Sequence, residues 1–480
     1  MMATDQRNRG AAAIVAVVLI AALVVAGFVA WRMSSRQAPP RNVLLIVADA
    51  LRADHLGCYG RDDARSPRLD RLASEGVLFT DFSTVIPATL PSFSSLLTSR
   101  HPKDHGAVRN GFALDGSHPT MSEVFQAAGF ETAAFVASYC ISKEFGLARG
   151  FDRYDEDFTT DTGLPHNKLV RRGEKISDAV IDWLGGRDRS KPFFAMVHYF
   201  DPHWPYDQPD PFRETFTPRG NIPGLGSIQN VLDARDFLKG GGGVPDQRCH
   251  DLHALYLGEI AFMDREIGRV LDTLGELGIE GETLVVFTSD HGETFWEHAD
   301  YFDHGLFVYD SNARIPLIVR WPGRTGEASR RVRPPLSNID LAPTLLDLAG
   351  LVVPAAFDGR SFAGLITGEN EIEPRPIYSE ACKPYQVEKG APRANYYKAK
   401  SVRSGKWKLV YTPFLNDSRE LYNVETDPTE TTNLLRNPAY KKIADSLFVA
   451  LERWTDTFEG GGPVDPLDPE TEEKLRKLGY

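Results

Sequence analysis

Cysteine is scarce in this chain, and the four that occur (Cys58, Cys140, Cys249 and Cys382) are far apart and form no CxxC pair. They make neither a thiolate zinc site nor a dense disulfide framework, although a single long-range disulfide stays open. Basic residues are also fewer than acidic ones: the chain has 54 Lys and Arg and 66 Asp and Glu, which gives a net charge of −12. This balance argues against a nucleic-acid partner but leaves open a small anionic substrate, which responds only to the local field of its pocket.

Internal repeats and low-complexity tracts are missing as well. With 42% hydrophobic and 25% charged residues, the composition excludes a mostly disordered, collagen-like or coiled-coil chain. A chain of 480 residues can bury a large core without covalent staples, and its length fits one large α/β domain plus a smaller one.

One long run without charge stands near the start of the chain, from Ala11 to Trp31. At 1.5 Å per residue it is long enough to cross a hydrocarbon core of roughly 30 Å. A signal peptide is the alternative, since Arg7 and Arg9 precede the run, but its apolar region would normally span about 7–15 residues and no A-x-A site follows. The sequence therefore predicts a protein held in the membrane by a single N-terminal helix.

Three short apolar runs, within 42–49, 192–203 and 282–292, end in polar side chains suited to binding or catalysis. Each run is continuous and rich in Val, Ile or Phe, which is typical of strands buried on both faces of a parallel sheet. Helical patterns that stop at glycine lie between them, so the chain predicts an α/β sandwich with a mostly parallel sheet. Ligands bind such sheets at the carboxyl ends of the strands. The side chains expected there are Asp49, His198, Asp201, His203, Asp290 and His291.

The alternation of strand and helix patterns ends near Gly368. Short strand patterns at 375–380, 398–402 and 407–411 and a helix pattern at 438–458 predict a small C-terminal α+β subdomain. The stretch 207–247 is rich in Pro and Gly and is expected to form an inserted mobile loop. We therefore expect an anchor and tether at 1–40, a catalytic α/β domain at 41–370 and the subdomain at 371–480.

Thr89 is the candidate nucleophile. It stands just before Pro91, and Phe93, Leu96 and Leu97 follow at helical spacing, so Thr89 is expected to be a helix N-cap. It either serves only as a cap or presents its hydroxyl where the helix dipole favours an anion. A threonine hydroxyl is a poor nucleophile unless a divalent cation lowers its pKa. Oxygen and nitrogen ligands for such a cation are offered by Asp49, Asp290 and His291.

Six segments, taken in order, resemble the sulfatase branch of the alkaline phosphatase superfamily. They are NVLLIVADALRADHLGCYG, PATLPSFSSLLTSRHPKDHG, HYFDPHWPY, TSDHGETFWEHADYFDHG, SNIDLAPTLLDLAG and ELYNVETDPTETTNL. The resemblance implies an α/β/α sandwich outside the cytoplasm that transfers a sulfuryl or phosphoryl group in line to a metal-bound nucleophile. By motif position, the metal ligands would be Asp49, Thr89, Asp290 and His291. Substrate oxygens and the leaving group would be contacted by His203 and His304, with His298 a weaker candidate.

The chain departs from the sulfatase pattern at three positions. The family signature C/S-x-P-x-R reads Thr-Leu-Pro-Ser-Phe here, and threonine cannot become formylglycine because its β-carbon carries a methyl group. Phe93 replaces the signature arginine, and Ala50 stands where many sulfatases have a second metal-binding aspartate. The metal, a single divalent ion, is thus calcium, manganese or zinc.

A threonine at the nucleophile position resembles the superfamily's phosphodiesterases and its phosphoglycerol and phosphoethanolamine transferases. The leading prediction is a metal-dependent hydrolase of a small sulfate or phosphate ester. The alternatives are a phosphodiesterase or transferase of that kind, and a non-catalytic binding protein on a sulfatase scaffold.

Overall fold

The computed structural model describes residues 39–158, 169–217, 224–325, 330–368, 372–383, 397–456 and 467–478. Its centre is a nine-stranded sheet with the strand order β4-β3-β5-β1-β6-β7-β2-β8, in which β9 pairs with β2. The strands are β1 (Asn42–Ala48), β2 (Val77–Ser83), β3 (Glu131–Phe135), β4 (Arg153–Asp155), β5 (Phe193–Tyr199), β6 (Thr283–Ser289), β7 (Arg314–Arg320), β8 (Arg330–Val332) and β9 (Leu336–Ser337).

The half of the sheet formed by β4, β3, β5, β1 and β6 is parallel. Every residue of β1, β5 and β6 is buried, which is why these three strands read as continuous apolar runs. β7 runs antiparallel to both β6 and β2, so the whole sheet is mixed. The predicted α/β sandwich is confirmed. Asp49 and Asp290 follow two neighbouring strands of its parallel half.

Helices cover the sheet in two layers. They are α1 (Pro67–Ser74), α2 (Thr89–Thr98), α3 (Pro102–His105), α4 (Met121–Ala127), α5 (Gly173–Gly186), α6 (Phe212–Phe216), α7 (Ile228–Gly240), α8 (Gln247–Glu276), α9 (Asp310–Ala313), α10 (Leu341–Leu348) and α11 (Ala363–Thr367). α8 packs on α1, α5 and α6, whereas α2 packs on α4 and α10. Short 3-10 helices occupy Ala53–His55, Gly57–Tyr59, Tyr139–Ile141, Lys143–Phe145, Glu280–Glu282 and Asn338–Asp340.

The stretch 207–247 differs from its prediction. It was expected to be a loop, yet it contains α6 and α7. Ser227 begins α7 by accepting a hydrogen bond from the N–H of Asn230, and Val231, Ala234 and Leu238 are buried on one face of the helix. The glycines gather after α7, where Gly242 and Gly243 have positive φ.

The C-terminal part contains a second, antiparallel sheet in the order β10-β11-β12-β13. Its strands are β10 (Ile377–Glu380), β11 (Lys400–Ser404), β12 (Trp407–Thr412) and β13 (Ser418–Asn423), and its helices are α12 (Lys441–Asp456) and α13 (Pro469–Leu478), with 3-10 helices at Leu434–Arg436 and Pro438–Tyr440. Val402, Leu409 and Leu421 of this sheet pack against Leu447 and Leu451 of α12. The predicted α+β subdomain is confirmed. All four cysteines are free, so the long-range disulfide does not form.

The predicted membrane location is corrected by the structure. Throughout the described ranges, no helix combines the length and the apolar character needed to cross a bilayer. The longest of these helices, α8, shows the physical reason, since charged side chains such as Asp264, Arg265 and Arg269 recur along its 30 residues. The run Ala11–Trp31, on which the predicted single-pass anchor and extracytoplasmic catalytic domain rested, lies outside the described residues.

Candidate active site

The carboxyl ends of β1 and β6 bring together three side chains that could hold a metal ion. Asp49 follows β1 directly, and Asp290 and His291 follow β6. The register pairs Ala48 with Ser289, so the two strands end at the same level. The ligand atoms of the three side chains lie within 4.8 Å of one another. His291 Nε2 is 3.5 Å from Asp49 Oδ1 and 3.5 Å from Asp290 Oδ2.

Backbone contacts orient two of these three side chains. Asp290 Oδ1 accepts hydrogen bonds from the N–H groups of Ala50 (3.1 Å) and His291 (2.7 Å), so that Oδ2 faces the cluster. His291 Nδ1 lies 2.8 Å from the carbonyl oxygen of Gly292. Because a carbonyl oxygen only accepts, Nδ1 carries the proton and Nε2 presents its lone pair to the carboxylates. This is the tautomer that a metal-binding imidazole requires.

The three side chains fit a divalent cation. Both oxygens of Asp49 and Oδ2 of Asp290 are buried and accept no hydrogen bond from an N–H or hydroxyl group in the part of the chain that the structure describes. Burial, reinforced by the charge of Asp290, raises the pKa of Asp49 well above its usual range, and burial raises the pKa of Asp290 to about 7. Two such carboxyls resist ionisation together unless a positive charge lies between them. A bound cation would supply that charge.

Thr89 lies beside this cluster, but it is not the helix cap. The N-cap of α2 is Ala88, and Thr89 is the first helical residue, so the predicted cap is wrong by one position. Thr89 Oγ1 is 3.4 Å from His291 Nε2. The start of the helix is held from outside, because the side-chain oxygen of Asn110 accepts a hydrogen bond of 2.9 Å from the N–H of Leu90. The Thr89 hydroxyl therefore lies next to the cluster of Asp49, Asp290 and His291.

Two of the three predicted substrate-contacting histidines adjoin the same cluster. The ring centre of His304 is 4.0 Å from that of His291 and 5.4 Å from that of His203. His203 Nδ1 donates a short hydrogen bond to the carbonyl oxygen of Trp204. Burial lowers the pKa of His304 to about 3, and burial together with the neighbouring His304 lowers the pKa of His203 well below its usual value. Both imidazoles are therefore neutral at neutral pH in this environment.

His298, the weaker candidate, does not join the cluster. Its ring stacks on Tyr309 with a centre-to-centre distance of 3.7 Å, and its Nε2 lies 3.0 Å from the carbonyl oxygen of Thr429. These contacts tie the loop after β6 to the C-terminal part, so the role of His298 in the structure is packing.

Charged residues that were not predicted from the sequence also lie beside the cluster. Glu293 Oε1 is 3.5 Å from His304 Nδ1, and both Glu293 oxygens are buried. Asp303 accepts hydrogen bonds of 2.9 and 3.0 Å from Lys383 Nζ and pairs with Arg235 of α7. Glu293 could have been found from its place in the run Ser-Asp-His-Gly-Glu. No sequence signal joins Lys383 or Arg235 to Asp303, because both contacts depend on the folded chain.

Two family profiles and several curated relatives match this chain. The profile described as Sulfatase matches residues 41–351, and the one described as N-sulphoglucosamine sulphohydrolase, C-terminal, matches residues 296–457. The chain is 26% identical over 504 residues to an N-acetylglucosamine-6-O-sulfatase of Bacteroides thetaiotaomicron, covering 88% of this chain and 87% of that protein. It is 27% identical over 463 residues to an arylsulfatase of Clostridium perfringens, covering 85% of this chain and 92% of that protein.

Solved structures share the fold. A phosphonate monoester hydrolase of Silicibacter pomeroyi matches with a TM-score of 0.67 at 26% identity, covering 87% of this chain and 95% of that chain. A protein solved in complex with its substrate D-glucosamine-2-N,6-O-disulfate matches with a TM-score of 0.72 at 22% identity, covering 88% and 98%. The Sulfatase profile alone spans well over half of this chain. The prediction of an enzyme is confirmed, and the chain belongs to the sulfatase family of sulfuric ester hydrolases.

Proposed function

We propose that this chain is a metal-dependent ester hydrolase in which Thr89 is the nucleophile. The observation that carries the proposal is the 3.4 Å approach of Thr89 Oγ1 to His291 Nε2. Both oxygens of Asp49 and Oδ2 of Asp290 lie in the same cluster, and they accept no hydrogen bond from the described residues. Asp49, Asp290 and His291 would hold one divalent cation together with Thr89. An imidazole among few carboxylates favours Zn²⁺ or Mn²⁺ over Ca²⁺, which takes six to eight oxygen ligands.

The cation, when bound, lowers the pKa of the Thr89 hydroxyl and offsets negative charge on the group being transferred. The Thr89 hydroxyl loses its proton to solvent, and Oγ1 then attacks the sulfur or phosphorus atom as the bond to the leaving oxygen breaks on the opposite side. This step forms a Thr89 ester and releases an alcohol. Water then cleaves the ester at sulfur or phosphorus, regenerates Thr89 and yields sulfate or phosphate.

We assign proton transfer at the leaving oxygen to His203 and His304. Both imidazoles are neutral before substrate binds, and an anionic substrate beside them raises their pKa. A protonated imidazole donates the proton that the departing alcohol needs. The resulting neutral imidazole then accepts a proton from the attacking water, so one side chain serves both half-reactions.

Sulfate and phosphate esters are both candidate substrates. The names of the sulfatase relatives favour a sulfate ester, including one on a sugar. The phosphonate monoester hydrolase of Silicibacter pomeroyi favours phosphoryl chemistry, and so does Thr89, because threonine cannot form the aldehyde of ordinary sulfatases. A phosphodiesterase, or a transferase that passes the Thr89-bound group to an acceptor alcohol, is therefore the second candidate function.

The test combines a substrate screen with two substitutions. The full chain is assayed with an aryl sulfate, an aryl phosphate, a phosphodiester and a phosphonate monoester, each with Ca²⁺, Mn²⁺ or Zn²⁺, with and without an added acceptor alcohol. On the substrate that turns over, Thr89→Ala should lose nearly all activity, whereas Thr89→Ser should retain part of it. Thr98→Ala, a buried threonine in the last turn of α2, is the matched control and should keep its activity.

Mass spectrometry of the quenched reaction should find a sulfo or phospho group on the peptide that contains Thr89. Full activity of Thr89→Ala at a matched folded fraction would overturn the nucleophile assignment.

A further inference from the structure

Asp49 differs from Asp290 in how its carboxylate is oriented. Asp290 receives two backbone N–H groups on Oδ1, whereas neither oxygen of Asp49 receives a backbone or side-chain hydrogen bond from the described residues. A carboxylate that binds a metal normally needs a partner of this kind, because its orientation sets the coordination geometry. Within the described chain, the polar atom that faces Asp49 Oδ2 from outside the metal cluster is His198 Nε2, at 3.4 Å.

The sheet register explains this approach. His198 of β5 pairs with Val47 of β1, and Asp49 is two residues further along the same strand direction. Side chains two residues apart on a strand project to the same face, so His198 and Asp49 share one face of the sheet. Both residues are fully buried.

The other ring nitrogen of His198 fixes which tautomer is present. His198 Nδ1 accepts a hydrogen bond of 3.2 Å from the backbone N–H of Ala137. A nitrogen that accepts this bond carries no proton, so in the neutral ring the proton is on Nε2. An Nε2–H group is a donor and has no lone pair for a metal. His198 is therefore suited to bind the Asp49 carboxylate and unsuited to bind the cation.

Phe93 holds the His198 ring in place. The two rings meet edge to face with their centres 5.1 Å apart, and Phe93 is buried. Phe93 is four residues after Thr89 in α2, so both side chains lie on the same face of that helix. The residue that replaces the signature arginine thus packs on the histidine beside Asp49.

We infer that His198 is a positioning residue for the metal site, donating its Nε2–H to Asp49 Oδ2 so that Oδ1 is the oxygen turned to the cation. This inference rests on the proposed metal site and adds a residue to it. The Nε2–Oδ2 separation of 3.4 Å is a few tenths of an ångström longer than a standard N–H···O bond. The proposed hydrogen bond therefore requires this contact to shorten when the cation is bound.

Metal affinity tests the inference without relying on turnover. The dissociation constant for Zn²⁺ and for Mn²⁺ is measured by competition with a chelator on the full chain and on three variants. His198→Gln can place an N–H near the Nε2 position, whereas His198→Asn can reach only the Nδ1 position and His198→Ala offers no donor. We expect His198→Asn and His198→Ala to bind metal about 10- to 100-fold more weakly than the unmodified chain, and His198→Gln to recover most of the loss.

Equal affinity of the unmodified chain and His198→Asn would overturn the inference, and so would a failure of His198→Gln to recover affinity at an unchanged folded fraction. If the unmodified chain binds no metal, the proposed function fails instead, so the two failures are distinguishable.

A second measurement needs no substitution. Nitrogen-15 NMR of histidine-labelled protein should show His198 as the Nε2–H tautomer and His291 as the Nδ1–H tautomer, before and after metal is added. A switch of His198 to the Nδ1–H tautomer on metal binding would make it a ligand and would contradict the positioning role.

Discussion

The hydroxyl of Ser92 donates a hydrogen bond of 2.7 Å to the backbone carbonyl oxygen of Asp290. This bond ties the helix that carries Thr89 to the loop that carries Asp290 and His291. The same hydroxyl lies 3.0 Å from Thr84 Oγ1, so it belongs to a buried polar network. A direct contact between the two segments therefore sets the distance between the proposed nucleophile and the proposed metal ligands.

Ser92→Ala should lower kcat of the folded enzyme, in addition to lowering the free energy of unfolding. Loss of a buried hydrogen bond costs about 1–3 kcal/mol of stability. It also frees α2 to move relative to Asp290, and an ångström of misplacement can cost about 100-fold in rate. Steady-state kinetics and urea unfolding measure the two effects separately. Ser94→Ala is the matched control, because Ser94 is in the same helix and its hydroxyl has no hydrogen-bond partner among the described residues. Equal kcat for the two variants would contradict this prediction.

Removing both carboxylates of the proposed metal site should abolish metal binding. Asp49→Ala/Asp290→Ala deletes the two anionic ligands, and a buried cation cannot be held without charges that offset its own. Elemental analysis after dialysis should find metal in the unmodified chain and none in the double variant. Asp62→Asn, which removes one exposed carboxylate outside the cluster of Asp49, Asp290 and His291, should retain a full complement of metal. Undiminished metal in the double variant would exclude these ligands.

The parts of this site that could be predicted from sequence are those that local chemistry encodes. β1, β5 and β6 were expected because a strand buried on both faces must be apolar throughout, and each run ends at a polar residue. β7 was not expected, because Pro316 interrupts its pattern. The cap of α2 was placed one residue late because Ala88 has no side chain that signals a cap.

Long-range contacts account for what the sequence did not reveal. The sequence placed His198 at the end of a buried strand, but it could not indicate the tautomer, which depends on the N–H of Ala137, 61 residues away in the chain. Lys383 reaches Asp303 only because its backbone N–H bonds to the carbonyl oxygen of Gly305, at 2.8 Å. No periodicity or motif encodes either contact.

Restoring the family signature with Phe93→Arg should harm the enzyme. The position is buried beside the His198 ring, so a guanidinium there would lose its hydration and crowd that ring. An unpaired buried charge costs several kcal/mol, and displacement of His198 would weaken metal binding. Thermal unfolding and the metal dissociation constant measure these losses. Phe93→Leu, which keeps an apolar side chain, is the control and should lose far less. Increased sulfatase activity in Phe93→Arg would contradict this prediction, because it would show that an arginine is functional at this position.

Asp201 and Glu259 should make stability fall as pH rises from about 4 to 7. Burial raises the pKa of Asp201 to about 7, and burial with the charge of Asp201 raises the pKa of Glu259 well above its usual value. The folded chain therefore keeps a proton on the pair that the unfolded chain has already released. The stability contribution is fully present below the unfolded pKa, near 4, and is lost as pH rises through the folded pKa, near 7.

Asp201→Asn removes this titration, so its free energy of unfolding relative to the unmodified chain should rise across that pH range. When the folded chain binds one proton more than the unfolded chain, the free energy of unfolding falls by about 1.4 kcal/mol for each pH unit. Urea unfolding at pH 5, 6, 7 and 8 measures the difference, and Glu259→Gln should change it in the same direction because it breaks the same pair. A difference that stays constant from pH 5 to pH 8 would mean that Asp201 is ionised in the folded chain and that its carboxylate is balanced by a positive charge.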